Sequence, residues 1–297
     1  MLSMPDFIVV VYCLVSDIFT QVVGGQRLRR RGPQPALTDS EVITMEIVGE
    51  FLGQDTDKGI WEYFRRHWRA WFPALGSRSQ FARQASDLWR IKQLIQQALA
   101  RALGAFADDI HTVDGHPMRV CVLTRAGRCK RFRGIATKGY CASKKEFYYG
   151  LHGHLLITMN GLITAYTVTG ANVDEREAAW DLLDDVVGWL LGDKGYLSAF
   201  FAALLREQDV RLDTPVRKNM VDPCPPVARQ TMLGVRRCVE TVIGQLTDRL
   251  HIEKVWARDL WHQTNRIARK LLAHTVGFFL NRQSGREPLQ FEGLIAG

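Results

Sequence analysis

The sequence has six cysteines, Cys13, Cys121, Cys129, Cys141, Cys224 and Cys238, and no two of them form a C-x-x-C pair. Such scatter argues against a zinc ribbon or a disulfide framework and predicts reduced thiols in a cytoplasmic chain. Low-complexity stretches are missing as well, so function need not come from a disordered arm. Long apolar runs are also scarce: the longest near the start, Phe7 to Val15, is too short to span a bilayer. The segment before it carries Asp6 but no Lys or Arg, and no small-residue cleavage site follows, which argues against a signal peptide. Residues 7 to 23 therefore read as a buried helix, and no membrane partner is expected. Acid is in short supply: 39 Lys and Arg stand against 31 Asp and Glu, a net charge of +8. That balance favours a polyanionic partner, because each neutralised phosphate releases condensed counterions, and nucleic acid is the first expectation.

What is present is enough for a folded enzyme. With 46% hydrophobic residues in 297, the chain can bury a core. Its length suits a catalytic domain of about 150 to 200 residues with a smaller companion. Residues 1–105 read as an all-α, DNA-binding domain. Its clearest start signal is Thr38-Asp39-Ser40-Glu41, where a threonine cap and a glutamate three residues on can satisfy two orphan amides. Val42, Ile43, Met45, Ile47, Val48, Phe51 and Leu52 supply an apolar face, and Gly53 a stop. Arg27, Arg29, Arg30 and Arg31 precede the Gly32-Pro33 break and read as an exposed loop free to meet a DNA backbone. Arg65, Arg66 and Arg69 interleave with Trp61, Trp68 and Trp71, a pattern that fits an amphipathic helix with core tryptophans as well as it fits DNA contact.

After Ala107 the texture changes to β-rich runs, 110–122, 147–158 and 162–168, with Asn160-Gly161 marking a tight hairpin between the last two. A helix at 174–187, a short buried strand at 189–192, a helix at 198–208 and a strand at 210–216 follow. A basic helix at 233–250 and a last amphipathic helix at 261–281 complete the pattern. Three antiparallel strands leading into alternating helix and strand is the order of a ribonuclease H-like α/β fold, a mixed five-stranded sheet flanked by helices. The expected division is 1–105 helical, 106–285 catalytic and 286–297 a C-terminal tail.

Three carboxylates stand out. Asp114 interrupts the apolar strand Thr112-Val113-Asp114-Gly115, where an unpaired charge is costly to bury; a metal ion would explain it, and so would a solvated strand end or an arginine partner. Asp108 and Asp109 precede the strand and read as a solvated turn or cap. Asp193 ends the run Trp189-Leu190-Leu191-Gly192 and enters a glycine-flanked loop, the carboxyl end of a strand where open sheets place their chemistry. Asp174, Asp181, Asp184 and Asp185 are spaced as an exposed acidic helix face. Glu240 lies on a helix one turn after Arg236, a spacing also common in purely structural pairs. Carboxylates from three separate elements can gather hard oxygen ligands for two metal ions acting on a phosphodiester.

Between residues 119 and 150 the chain carries Arg119, Arg125, Arg128, Lys130, Arg131, Arg133, Lys138, Lys144 and Lys145 against the lone acid Glu146, which predicts a backbone-binding surface. Lys194, Arg217, Lys218, Arg236, Arg237 and Arg249 extend the set of expected DNA contacts. His152 and His154 alternate in a strand and read as hydrogen-bonded sheet residues rather than ligands, since Mg²⁺ prefers oxygen.

Taken together, these segments resemble the DDE transposases of bacterial insertion sequences, most closely the family typified by insertion sequence 982. The resemblance runs nearly end to end. Its carrying pieces are Leu37 to Val42, Gly49 to Gly53, Ser77 to Phe81 with Leu88-Trp89, Val113 to Pro117, Ala142 to Lys145, Tyr149 to His152, Gly192 to Tyr196 and Arg236 to Thr241. It implies that Asp114, Asp193 and Glu240 form the catalytic triad and bind two Mg²⁺ ions, with Mn²⁺ able to substitute. The implied partners are double-stranded DNA, as terminal inverted repeats and target, and a second copy of the chain when DNA is bound; no small-molecule substrate is implied. The implied location is the bacterial cytoplasm, at the nucleoid. One departure concerns the pattern Y-x2-R-x3-E-x6-K around the glutamate: Arg236 and Glu240 fit, while Leu233 and Thr247 stand at the tyrosine and lysine positions, and Arg249 is the substitute for the lysine. Two rival readings are a transposase remnant that binds DNA without catalysis and a ribonuclease H-like nuclease that cuts without joining.

Overall fold

Helical sequence brackets a β-rich middle in the computed structural model, which describes residues 1–29, 31–141, 145–215 and 226–296. Five helices come first: α1 (Met4–Val23), α2 (Asp39–Phe51), α3 (Asp57–His67), α4 (Arg78–Asp87) and α5 (Trp89–Ala102). Strands β1 (Ile110–Val122), β2 (Thr137–Cys141), β3 (Glu146–Thr158) and β4 (Ile163–Gly170) follow. Next come α6 (Glu175–Ala179), β5 (Gly188–Leu191), α7 (Ala199–Arg206), β6 (Val210–Asp213), α8 (Pro226–Gly244) and α9 (Leu260–Gln283). The chain forms two compact units. One joins Met1–Leu103 to Leu246–Ile252 and Trp256–Gly297, and the other comprises Gly104–Gln245 with Glu253–Val255.

In the first unit, α2 starts where its sequence says it should: Thr38 and Glu41 form a complete capping box, and the helix stops before Gly53, whose φ of 69° suits glycine. Helix α1 is longer than the apolar run Phe7 to Val15 suggests, and by length and composition it could cross a membrane. Its positions Phe7, Ile8, Val11, Val15 and Ile18 are buried in a core shared with α2 and α5. Charge is buried there too. Lys92 donates to Glu46 and to Asn265 of α9, and Arg269 donates to Glu50 and, at 2.6 Å, to Asp57. Burial raises the pKa of Glu46 and lowers that of Lys92, so each needs the other to stay ionised.

Helix α9 packs against α5 and α2, and so lies with the first unit, whereas the sequence assigns it to the region 106–285. The described residues after α9 pack against the first unit. Phe291 and Leu294 are buried, and Leu2 exchanges backbone hydrogen bonds with Leu294 and Ala296 at 2.9 and 2.7 Å.

The second unit is built on a ribonuclease H-like mixed sheet. Strand β1 runs antiparallel to β3, β5 lies parallel to β1 on its other side, and β6 lies parallel to β5. One edge of β3 is shared by two strands in succession, β2 opposite residues 146–150 and β4 opposite 151–157. Asn160-Gly161 makes the expected turn, with Gly161 at φ 85° and its N–H donating to the Thr158 carbonyl at 3.0 Å. The sheet has six strands rather than the expected five, the addition being β2. Its buried positions are Gly139, where a Cβ would stand 2.7 Å from Ala171, and Cys141 at its end, too few to give the apolar alternation that announces a strand.

The helix expected over 174–187 is shorter, ending at Ala179 and passing into a 3₁₀ turn at Trp180–Leu182. Strand β6 ends at Asp213, before Pro215, which has no N–H to give a ladder. Helix α8 begins at Pro226, earlier than the expected 233, and continues as a π-helical turn over Gln245–Arg249.

Candidate active site

The parallel pairing of β1 with β5 runs Ile110 to Trp189, His111 to Leu190 and Thr112 to Leu191. Asp114 and Asp193 each stand two residues beyond the last of these pairs, Asp114 still within β1 and Asp193 in the loop after β5. Alternation along β1 puts Asp114 on the face opposite Val113, which is buried in the core beneath the sheet with Leu190, Tyr196 and Phe201. The Asp114 carboxylate accepts the Gly115 N–H at 2.7 Å, yet its pKa is pushed up to about 6. Burial is the main cause; the Gly115 hydrogen bond opposes it, and the charges of Asp193 and Glu240 add to it.

Asp193 leaves β5 through Gly192, where any Cβ would stand 2.9 Å from the Tyr196 ring. Its Oδ1 accepts the Gly195 N–H at 2.6 Å and caps the single 3₁₀ turn Lys194–Tyr196, which leaves the side chain exposed. Glu240 arrives on α8, which packs against β1. Val235, Val239 and Val242 recur at helical spacing and are buried, and Glu240, next to Val239, faces solvent. One turn earlier Arg236 reaches back to β6, its Nη2 3.3 Å from the Asp213 carbonyl and 3.5 Å from the Asp213 carboxylate. That tie fixes α8 against the end of the strand next to Asp193.

A fourth carboxylate belongs to this neighbourhood, and sequence reasoning passed it over. Glu175 opens α6 after the acidic cap Asp174, and its pKa is pushed up to about 7 by burial and then by the charges of Asp193, Asp114 and Asp174. A signal was available: Glu175 shares a helical face with the buried Ala178 and Ala179 at i+3 and i+4, unlike the exposed Asp174, Asp181, Asp184 and Asp185.

His116 on β1 and His152 and His154 on β3 are hydrogen-bonded within the sheet, as expected for His152 and His154. His152 Nδ1 lies 3.3 Å from the Tyr148 hydroxyl, His154 Nε2 2.9 Å from Thr169 Oγ1, and His116 Nε2 3.0 Å from the Tyr166 hydroxyl. Burial pushes His116 and His154 down to about 3, so both are neutral.

The residues available to a cation are therefore carboxylates: hard oxygen donors, four of them mutually repelling, the donor chemistry that Mg²⁺ and Mn²⁺ take. Among the described residues no three His, Cys, Asp or Glu side chains stand close enough together to hold a metal ion as they are placed. The carboxylates are neighbours without being gathered.

The basic residues divide. Arg27, Arg31, Arg131, Arg133, Lys145, Lys194 and Arg237 are exposed. Arg29 is engaged within the protein, its guanidinium forked onto Asp39 at 2.7 and 2.8 Å. Arg249 is partly buried, 5.7 Å over the Phe51 ring. Arg30, Lys144, Arg217 and Lys218 lie outside the described residues, as does Cys224.

A search of curated proteins finds no match. A family model described as a transposase DDE domain matches residues 105–260, just over half of the chain and nearly all of the second unit. A ribonuclease H-like sheet, with Asp114 midway along β1 and Asp193 just past the carboxyl end of β5, is what that match covers, and the chain belongs to the family of transposase DDE domains, enzymes of DNA-cleaving phosphoryl transfer.

Proposed function

We propose that this chain is an insertion-sequence transposase, most like the family typified by insertion sequence 982, and that Asp114, Asp193 and Glu240 are its metal-binding catalytic triad. The supporting observation is the parallel pairing of β1 with β5, which ends two residues before Asp114 on one strand and two before Asp193 on the other, with Asp193 and Glu240, the latter on a helix packed against β1, both close enough to raise the Asp114 pKa. Two Mg²⁺ ions, when bound, would polarise the scissile phosphate and acidify the attacking hydroxyl. Asp114 would hold from the buried side, while Asp193 and Glu240, both exposed, turn inward to complete the coordination. Water then attacks a phosphodiester at the end of the element, and the freed 3′-hydroxyl attacks target DNA, with no covalent protein intermediate.

The helical region would recognise the terminal repeats in the bacterial cytoplasm. A cleft of about 620 Å³ there is lined by Arg29, Arg31 and Arg83, of which Arg31 and Arg83 are exposed to meet a backbone. Arg131, Arg133, Lys145 and Lys194 would hold DNA near the carboxylates. Two chains would pair on the DNA, because two ends must be joined in one complex.

The test is Mg²⁺-dependent cleavage and strand transfer on labelled DNA carrying the element's own ends, comparing wild type with Asp193→Asn. The expected result is cleaved and joined product from wild type and none from the variant, with DNA binding retained by both. Binding without product from either protein would favour a non-catalytic remnant, and cleavage without joining would favour a nuclease.

A further inference from the structure

Glu175 lies near both Asp114, on β1, and the loop that carries Asp193. On one side, a Cβ built on Gly195 would collide with Glu175 Oε2 and stand 2.9 Å from Asp193 Oδ1, so both carboxylates press on the same glycine. On the other side, Glu175 Oε1 faces His152 Nε2 at 3.9 Å, and that same imidazole nitrogen overhangs Gly115, the neighbour of Asp114. One carboxylate thus spans the gap between the two aspartates. A second observation comes from the same neighbourhood. Tyr196 is completely buried, and its hydroxyl, in surroundings made negative by Glu175, Asp114 and Asp193, has no hydrogen-bond partner among the described residues. A buried hydroxyl without a partner, within reach of three carboxylate charges, is suited to a metal-bound water.

We propose that Glu175 is a fourth metal-binding carboxylate of this centre, coordinating a divalent cation together with Asp193 and held in place by His152. The proposal rests on the reading of Asp114, Asp193 and Glu240 as the triad. Helix α6 is its natural carrier: it follows β4 and precedes β5, and its Ala178 and Ala179 are small enough to let its first turn settle against the sheet. The competing account is a neutral, protonated Glu175 hydrogen-bonded to Asp193, which needs no ion.

Glutamine is the isostere of the protonated acid, so Glu175→Gln separates the two. Full-length wild type, Glu175→Gln and Asp193→Asn are titrated with Mn²⁺ alone, without DNA, following free Mn²⁺ by electron paramagnetic resonance. Metal-free thermal unfolding of each protein confirms that it is folded. The expected result is Mn²⁺ binding weakened at least ~10-fold in both variants, the scale on which metal sites respond to loss of a supporting group, at an unchanged metal-free unfolding temperature. Wild-type Mn²⁺ binding by Glu175→Gln with loss in Asp193→Asn would overturn the role of Glu175 and leave the triad standing. Wild-type binding by both variants would overturn the triad reading and this proposal with it.

Discussion

At the scale of single residues, the most consequential placements are charges that composition alone assigns to the surface. Glu46, Lys92 and Arg269 are each 0% exposed. The α2 stretch reads as an apolar face with polar residues opposite, yet Glu46 and Glu50 are buried along with the rest, because α5 and α9 bring Lys92, Arg269 and Lys270 to meet them. Partners far apart in sequence cannot be read from periodicity, so this network is invisible in the sequence. Removing one member leaves the other charge stranded in low dielectric. Lys92→Met is expected to destabilise the first unit by about 3–5 kcal/mol, and adding Glu46→Gln to it should recover a large part of that loss, both read from urea unfolding. If the double variant is no more stable than the single one, the stranded charge is not the cause.

Glu175 escapes sequence reasoning for a related reason. Its own spacing marks it as inward, but Asp174, Glu177 and Asp181 around it make the segment look uniformly solvated, and only the fold brings it to Asp193. Asp114 and Asp193 are legible because each sits in a place where an acid is costly or useful: mid-strand in one case, at a strand's carboxyl end in the other.

At the scale of elements, legibility follows local chemistry. The capping box of α2 and the Asn-Gly turn before β4 are self-contained within a few residues, and both stand where the sequence puts them. Thr38→Ala should cost about 1 kcal/mol, the usual value of a lost N-cap, measured as a lowered denaturation midpoint. A change below ~0.3 kcal/mol, well under the lower end of that range, would mean that tertiary packing alone defines the start of α2. Strand β2 goes unseen because its buried positions are only Gly139 and Cys141, and the helix after β4 is overextended because the apolar residues Leu182, Leu183 and Val186 fill the core from irregular turns. Apolar spacing reports burial before it reports helix.

At the scale of the whole molecule, the excess of positive charge is the property that bears on DNA, and exposure decides which residues express it. Arg27 and Arg31 are exposed, whereas Arg29 is neutralised by Asp39. Arg27→Gln and Arg31→Gln are therefore expected to flatten the dependence of log K on log salt by about 0.9 for each phosphate no longer neutralised. Arg29→Gln should leave that slope unchanged while weakening the loop's attachment to α2. Equal slopes for all three variants would place the DNA elsewhere on the protein.

The interrupted make-up of the first unit carries a consequence for synthesis. Its core needs α1, α2 and α5 from the beginning of the chain and α9 from near the end, with the whole catalytic sheet encoded in between. On the ribosome the sheet and its aspartates emerge and can fold while Lys92 and Glu50 still wait for Asn265, Arg269 and Lys270. Any copy of the gene cut short before α9 would thus yield a polypeptide with every proposed cutting residue and an unfinished helical half, so early termination would part the proposed chemistry from the region proposed to guide it.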